Sequence, residues 1–281
     1  SITGPEELSA GDDAFFITAG KALIRESTVL PSGLDSTQTF SIGDAIYLAA
    51  VLSKRPRDWE FTIHEPLEVI ALHGDVLREA VMKSGFLVSE VIRNSVTRIF
   101  DIKHRENAAF EDRFIKRFRR VALSSTHRAG DCIYRIGDRA EGLYFIERGR
   151  VYLTTARNAR FAELTETDFF GETSLLTSDR RSKNIYAETD CSVLQLNRKT
   201  VEAEVDAESP LVKLVLVNIL TILGMIDAMD DLKAASEDFD EQDQKSNIGR
   251  RFEETQWGMF KMMVTLIFGG TGLSLLYVMY L

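Results

Sequence analysis

Between Ala129 and Leu196 the apolar residues come in short alternating runs, CIYRI, LYFIE, VYLTT, FAELT, NIYAE and SVLQL, punctuated by Gly130, Gly137, Gly142 and Gly149. Short alternating segments at regular spacing with glycine between them predict a small antiparallel barrel or jelly roll. After Pro210 the pattern changes to LVKLVLVNILTILGMI, apolar almost all round, which predicts a helix over Leu211–Ile226. Lys213 and Asn218 interrupt it, so it reads as a packed helix and not as a membrane span. Its apolar surface exceeds what one barrel needs, leaving three partners open: the N-terminal half, a second chain in a homodimer, or a membrane complex. Upstream, Phe110, Phe114, Phe118 and Val121 recur at helical spacing, with Arg113, Lys116, Arg117, Arg119 and Arg120 on the other faces. That basic side is either simply solvated or turned toward anionic lipid or an acidic partner.

The last twenty residues, Met262 to Leu281, contain no charge. As a helix they would be about 30 Å long, the thickness of a hydrocarbon core. Arg250, Arg251 and Lys261 flank this segment on its N-terminal side, with Trp257 and Tyr280 near its ends. The expectation is a single-pass tail anchor, with residues 1–256 on the cytoplasmic face, a bacterial inner membrane being the expected setting. Asp227 to Asp243 holds eight acidic residues and one lysine, and so reads as a solvated linker to that anchor.

An internal repeat organises the rest. Phe15-Phe16-Ile17 returns as Tyr144-Phe145-Ile146 at an offset of 129, Gly43-Asp44 resembles Gly171-Glu172 at 128, and Glu68–Leu72 resembles Ser192–Leu196 at 124. Ser84–Leu87 and Ser209–Val212 follow at 125. Loop insertions account for the drift. The expected organisation is a first domain over 1–104 that begins abruptly, a second over 105–226, a linker and juxtamembrane segment over 227–256, and the membrane helix over 257–281.

Composition narrows the chemistry. The 281 residues carry 34 Lys plus Arg against 43 Asp plus Glu, a net charge of −9 that argues against nucleic acid as the main partner. Cys132 and Cys191, 59 residues apart and outside any CxxC motif, fit reduced thiols better than a disulfide framework or a zinc site. His64, His73, His104 and His127 are scattered, and the sequence holds no HxxxH pair, P-loop, nucleophile elbow or paired-carboxylate motif. A metal site and an enzyme are both unexpected.

The order AGDCIYRIGDRAEGLYFIERGRVYL, then ETDFFGETSLL, then RRSKNIYAETDCSVLQL resembles the cyclic nucleotide-binding domain family shared by catabolite-activator-type transcription factors, kinase regulatory subunits and nucleotide-gated channels. The resemblance covers roughly residues 105–226. It implies a fold that is mainly β with flanking helices: two tandem rolls, and with the anchor one C-terminal transmembrane helix. It also implies a site for cyclic AMP or cyclic GMP, with a short phosphate-binding helix after Gly171-Glu172. Residue by residue, Gly171 matches the turn, Glu172 the carboxylate that accepts from the ribose 2′-hydroxyl, Thr173 the next cassette position, and Arg181 the arginine that clamps the cyclic phosphate, with Ser182 after it.

This sequence departs from the family pattern at Thr173-Ser174, Thr167, Arg180 and Lys183. Lys183 stands where a small residue is usual, and strand alternation predicts that it points outward. In the first domain AIYLAAVLSKRPRDWEF lacks an arginine at the spacing expected from Gly43-Asp44, leaving Arg55 or Arg57 as stand-ins and packing as the expected job. A helix-turn-helix is missing where a transcription factor would carry it, and one span is too few for a channel. Two functions remain. One is a tail-anchored accessory or regulatory subunit of an integral membrane complex; the other is a membrane-tethered cyclic nucleotide sensor that signals occupancy to a partner.

Overall fold

A computed structural model describes residues 8, 11–26, 37–55, 59–63, 65–100, 108–156, 158, 160–177 and 180–236, and all structural statements concern these. The described residues belong to one compact unit within 1–237, and residues 238–281 lie outside the described residues. The expected membrane span at 262–281 and the juxtamembrane basic residues fall there too. Among the described residues no helix is long and apolar enough to cross a membrane.

Two sets of strands make up the sheets. In the N-terminal half, β1 (Asp13–Ala19), β4 (Ala45–Ile46) and β6 (Glu68–His73) form one sheet in the order β4-β1-β6. There β2 (Ala22–Glu26), β3 (Thr37–Phe40) and β5 (Trp59–Ile63) form another in the order β3-β2-β5. The C-terminal half places β9 (Gly142–Arg148), β12 (Phe169–Phe170) and β14 (Cys191–Asn197) in the order β12-β9-β14, extended by β7 (Leu123–His127). Its second sheet runs β11-β10-β13-β8, from β8 (Cys132–Tyr134), β10 (Val151–Thr154), β11 (Arg160–Leu164) and β13 (Asn184–Ala187). This antiparallel two-sheet roll agrees with the alternating pattern over 129–196.

The two sets correspond in register as well as in order. Phe15 and Phe16 face Ile46 and Ala45 on β4, as Tyr144 and Phe145 face Phe170 and Phe169 on β12. Ile17 N donates to Asp44 O and Gly43 N to Ile17 O; Ile146 N donates to Asp168 O and Thr167 N to Ile146 O. Gly20 and Gly149 both have positive φ, and an added Cβ would lie 2.4 Å from Pro66 O and 2.5 Å from Asp190 O. Only glycine permits that approach of two backbones.

These registers correct one step of the repeat. Gly43-Asp44 corresponds to Thr167-Asp168, at an offset of 124, and not to Gly171-Glu172. Each aspartate caps the same turn, Asp44 accepting from Ser41 N at 2.8 Å and Asp168 from Thr165 N at 2.8 Å. The place of Gly171 is then taken by Tyr47, whose φ is 64°, and the place of Glu172 by Leu48.

Helices bind the sheets together: α1 (Leu48–Ser53), α2 (Gly74–Lys83), α3 (Phe86–Ile99), α4 (Ala108–Phe118), α5 (Glu172–Thr177), α6 (Arg198–Asp206) and α7 (Pro210–Ser236). The helix expected to end at Ile226 runs ten residues further, into the acidic stretch expected to be linker. Its buried residues Val212, Val215, Leu216, Ile219, Leu220, Ile222 and Leu223 belong to a helix that packs on α3, α5, α1 and α2. Of the partners left open for its apolar surface, the N-terminal half takes a large share. One core runs through both halves, joining Phe15, Ile46 and Leu48 to Leu87, Val91, Phe114, Phe145, Phe169 and Leu216. A smaller core of Ile146, Val151, Leu153, Phe170, Ile185 and Val193 lies inside the C-terminal roll.

On α4 the expected stripe holds at two positions and fails at a third, the side chain of Phe110 lying outside the described residues. Phe114 and Phe118 are buried, whereas Val121 lies past the helix end and is 52% exposed. Part of the basic face is used within the chain: Arg117 Nη2 pairs with Glu204 at 3.0 Å, and Arg113 stacks over Phe86 at 5.0 Å.

Burial makes Asp44 a pH-sensitive point. Desolvation, against the hydrogen bonds from Ser41, pushes its carboxyl up to about 6. A folded-state value above the unfolded one means that the folded chain holds the proton more tightly. Stability from this group is present below about pH 4 and is lost as pH rises to about 6. Asp44→Asn is therefore expected to be more stable than the wild type at pH 7 by up to about 3 kcal/mol, with the two converging near pH 4. Urea midpoints at the two pH values test this, and a gap that does not change with pH would refute it.

Candidate functional site

The short strand β12 ends at Phe170, and Gly171, at φ 83°, turns the chain into α5. Below this turn is a small cavity lined by Arg98, Tyr134, Gly171, Glu172, Thr173, Ser174, Ser182, Lys183 and neighbouring apolar side chains. Four of the five site residues read from the sequence, Gly171, Glu172, Thr173 and Ser182, meet in its wall.

Glu172 is 2% exposed. Its Oε1 accepts from Arg98 Nη1 at 2.7 Å and from Thr173 Oγ1 at 3.4 Å, while Oε2 is buried without a hydrogen-bond partner. Ser174 Oγ lies 3.4 Å from Ser182 Oγ and accepts from Ser182 N at 3.3 Å, tying α5 to the segment before β13.

Arg181, the fifth residue, lies outside the cavity lining. It is 2% exposed and donates from Nη1 to Gly171 O at 2.8 Å and from Nη2 to Gly142 O at 2.6 Å. Its guanidinium carbon stands 4.2 Å from the ring centre of Tyr134 and 5.4 Å from that of Tyr144. Both phenols are raised above the ordinary tyrosine value by desolvation, with Arg181 as the main opposing influence. The arginine braces the turn from behind.

Lys183 reverses its expectation. It is 8% exposed, lines the cavity, and sets Nζ 4.7 Å from the ring centre of Phe161. Strand alternation did not apply, because β13 begins only at Asn184 and both residues are buried. Asn184 is held by Thr154 Oγ1 at 3.1 Å and Thr155 O at 3.0 Å, and its Oδ1 accepts from Ile136 N at 2.9 Å. The site therefore presents a buried ammonium, a buried carboxylate and several hydroxyls, the complement of a small anionic, hydroxyl-bearing ligand.

Two further elements close it. Arg98 comes from α3, and no local sequence signal marked it, since its partner is 74 positions away. On α7, Gly224 lies so close to α5 that a Cβ there would meet Thr173 Cγ2 at 3.2 Å.

In the N-terminal half the corresponding turn has no such chemistry among its described residues. Leu48, Ala49, Ala50 and Val51 of α1 are all buried and apolar. Of the stand-ins, Arg55 stacks over Phe100 at 5.5 Å. Arg57 is outside the described residues, but counted back from Glu60 it holds the sequence place that Arg181 holds before Asn184. The expected lack of an arginine thus came from the four-residue misregistration at Gly43-Asp44. Cys132 and Cys191 are free, with burial pushing both thiols up.

Residues 125–208 match the sequence profile of the cyclic nucleotide-binding domain. The human potassium/sodium hyperpolarization-activated cyclic nucleotide-gated channel 3 is 38% identical over 68 residues, 24% of this chain and 9% of the channel. The cAMP-dependent protein kinase type II regulatory subunit of Drosophila melanogaster is 27% identical over 123 residues, 42% of this chain and 30% of the subunit. Among solved structures, the regulatory domain of Toxoplasma gondii protein kinase A in co-crystal with cAMP is 18% identical, with a TM-score of 0.32, over 78% of this chain and 79% of that one. The chain thus spans less than a third of either curated relative. The mainly β roll that holds the Glu172–Lys183 cavity is a cyclic nucleotide-binding domain, a fold that fits cyclic AMP or cyclic GMP as ligand.

Proposed function

We propose that the chain is a non-catalytic regulatory protein that binds a cyclic nucleoside monophosphate beneath Gly171 and passes occupancy on through α3 and α7. The observation that carries this is the buried pair of opposite charges in one cavity, Lys183 matching an anionic phosphate in charge and Glu172 matching a sugar hydroxyl as acceptor. Arg181 holds the turn from behind and so sets where the backbone meets the ligand. The N-terminal half, on this reading, is a second roll of the same kind that has exchanged binding for packing. Its matching strand order and registers support that, and the apolar α1 explains the loss. A ligand shifts a conformational equilibrium only by binding one state better. Because α7 packs directly on α5, the two helices can convert a change in the cassette into a change at the C-terminal side.

Calorimetric titration of the 281-residue chain in mild detergent with cyclic AMP and with cyclic GMP tests the proposal. Micromolar binding of at least one is expected, weakened about tenfold or more in Lys183→Met. Absence of both heat and a melting shift up to millimolar nucleotide would overturn it.

A second reading is favoured by a separate observation, the uncharged Met262–Leu281 segment. On it, the two rolls are held beside a membrane as an accessory subunit of an integral membrane complex. The two readings are compatible, and sedimentation of the full chain with membranes in a detergent-free lysate distinguishes the anchored form from a free one.

A further inference from the structure

The cavity has one wall that the matched domain does not supply. Arg98 belongs to α3, whereas the domain match begins at residue 125. Its Nη1 reaches Glu172 Oε1 at 2.7 Å, and one helical turn earlier Asn94 Nδ2 reaches Asp168 Oδ1 at 3.1 Å. Asp168 and Glu172 stand on either side of β12 and Gly171, so α3 grips both ends of the turn that shapes the cavity. The side chains of Arg98 and Glu172 are only 13% and 3% exposed. A buried carboxylate keeps one rotamer when its partner is fixed. Its other oxygen, Oε2, is buried and unpartnered, although a carboxylate oxygen can accept two hydrogen bonds.

We infer that Arg98 is a positioning residue of this site: by occupying Oε1 it reserves Oε2 for one hydroxyl of the ligand's sugar, and it makes the N-terminal half part of the binding site. The inference rests on the nucleotide reading above. It assigns a role to a residue outside the domain, and it predicts that occupancy tightens α3, because a hydroxyl bound to Oε2 and a guanidinium bound to Oε1 hold the same carboxylate from two sides.

The test titrates the full chain with cyclic AMP and with 2′-deoxy cyclic AMP, which lacks the hydroxyl, in wild type, Arg98→Lys and Arg98→Met. Wild type is expected to prefer cyclic AMP by about tenfold or more. In Arg98→Met the preference falls to within about twofold, and in Arg98→Lys much of it returns. A merely structural Arg98 would weaken both nucleotides by the same factor, and an unchanged ratio overturns the inference. Amide hydrogen exchange over residues 86–99 gives a readout in the wild type alone, should Arg98→Met fail to fold. Cyclic AMP is expected to slow exchange there, and binding without slowed exchange also overturns the inference while leaving the nucleotide reading intact. Failure of the wild type to bind either nucleotide overturns both.

Discussion

Arg181→Ala will lower the unfolding free energy by about 3–5 kcal/mol. The substitution removes two hydrogen bonds from a charged donor, to Gly171 O at 2.8 Å and to Gly142 O at 2.6 Å, leaving only Leu175 N on Gly171 O at 3.1 Å. A hydrogen bond to a charged group contributes about 1.5–3 kcal/mol. The guanidinium also fills the space between the turn and the rings of Tyr134 and Tyr144, contacts worth about 1–2 kcal/mol each when desolvated. Water entering the vacated space recovers part of this, which sets the lower bound. Arg181→Lys should recover less than half, because one ammonium cannot span both carbonyls in the fixed fork geometry of a guanidinium. Denaturant titration followed by circular dichroism measures the loss, and a change below about 1 kcal/mol would mean that the arginine does not brace the turn. The prediction concerns stability alone and holds whether or not a ligand binds.

Phe114→Ala is expected to cost about as much for a different reason. Phe114 is fully buried and stacks on Phe145 with ring centres 4.3 Å apart, with Phe118 at 5.1 Å and Phe169 at 5.4 Å. Removing a buried aromatic ring costs about 3–5 kcal/mol through lost transfer energy and the cavity that remains, and each aromatic pair adds about 0.5–1.5 kcal/mol. Phe145 and Phe169 lie on paired strands, in direct register. The ring of α4 therefore packs on the same two-strand ribbon that leads into Gly171. Thermal unfolding should show the loss as a lower melting temperature, and Phe114→Leu should recover most of it. A variant that melts with the wild type would show that α4 is not anchored by this ring.

Much of the C-terminal roll was legible because its strands alternate cleanly and its turns are glycines. Of the five residues read from the FGE turn and the Arg181-Ser182 pair, four line the cavity, and β6 and β14 pair with β1 and β9 at the 124 offset between Glu68–Leu72 and Ser192–Leu196. The strand β7 was not legible: LSSTH is polar and mostly exposed, and its pairing with β14 is a tertiary matter. At Gly43-Asp44 chemical likeness misled. The turn it forms recurs at Thr167-Asp168, where threonine takes a positive φ of 74°, and the left-handed position of Gly171 recurs at Tyr47. Positive φ is read from sequence through glycine, and a non-glycine residue in that region gives no such sign. Lys183 was misjudged because alternation was applied one residue before the strand began. Arg98 could not be found from its neighbours at all, since its meaning lies in a contact with Glu172.

The grip of α3 on the turn has a practical corollary for how the molecule can be cut. The domain profile matches 125–208, but the wall of the pocket is finished by a helix that closes at residue 99. A fragment trimmed to the recognisable stretch would lose the guanidinium that holds Glu172 Oε1 and the first two residues of β7. The smallest piece that preserves the chemistry is thus larger than the smallest piece that preserves the resemblance.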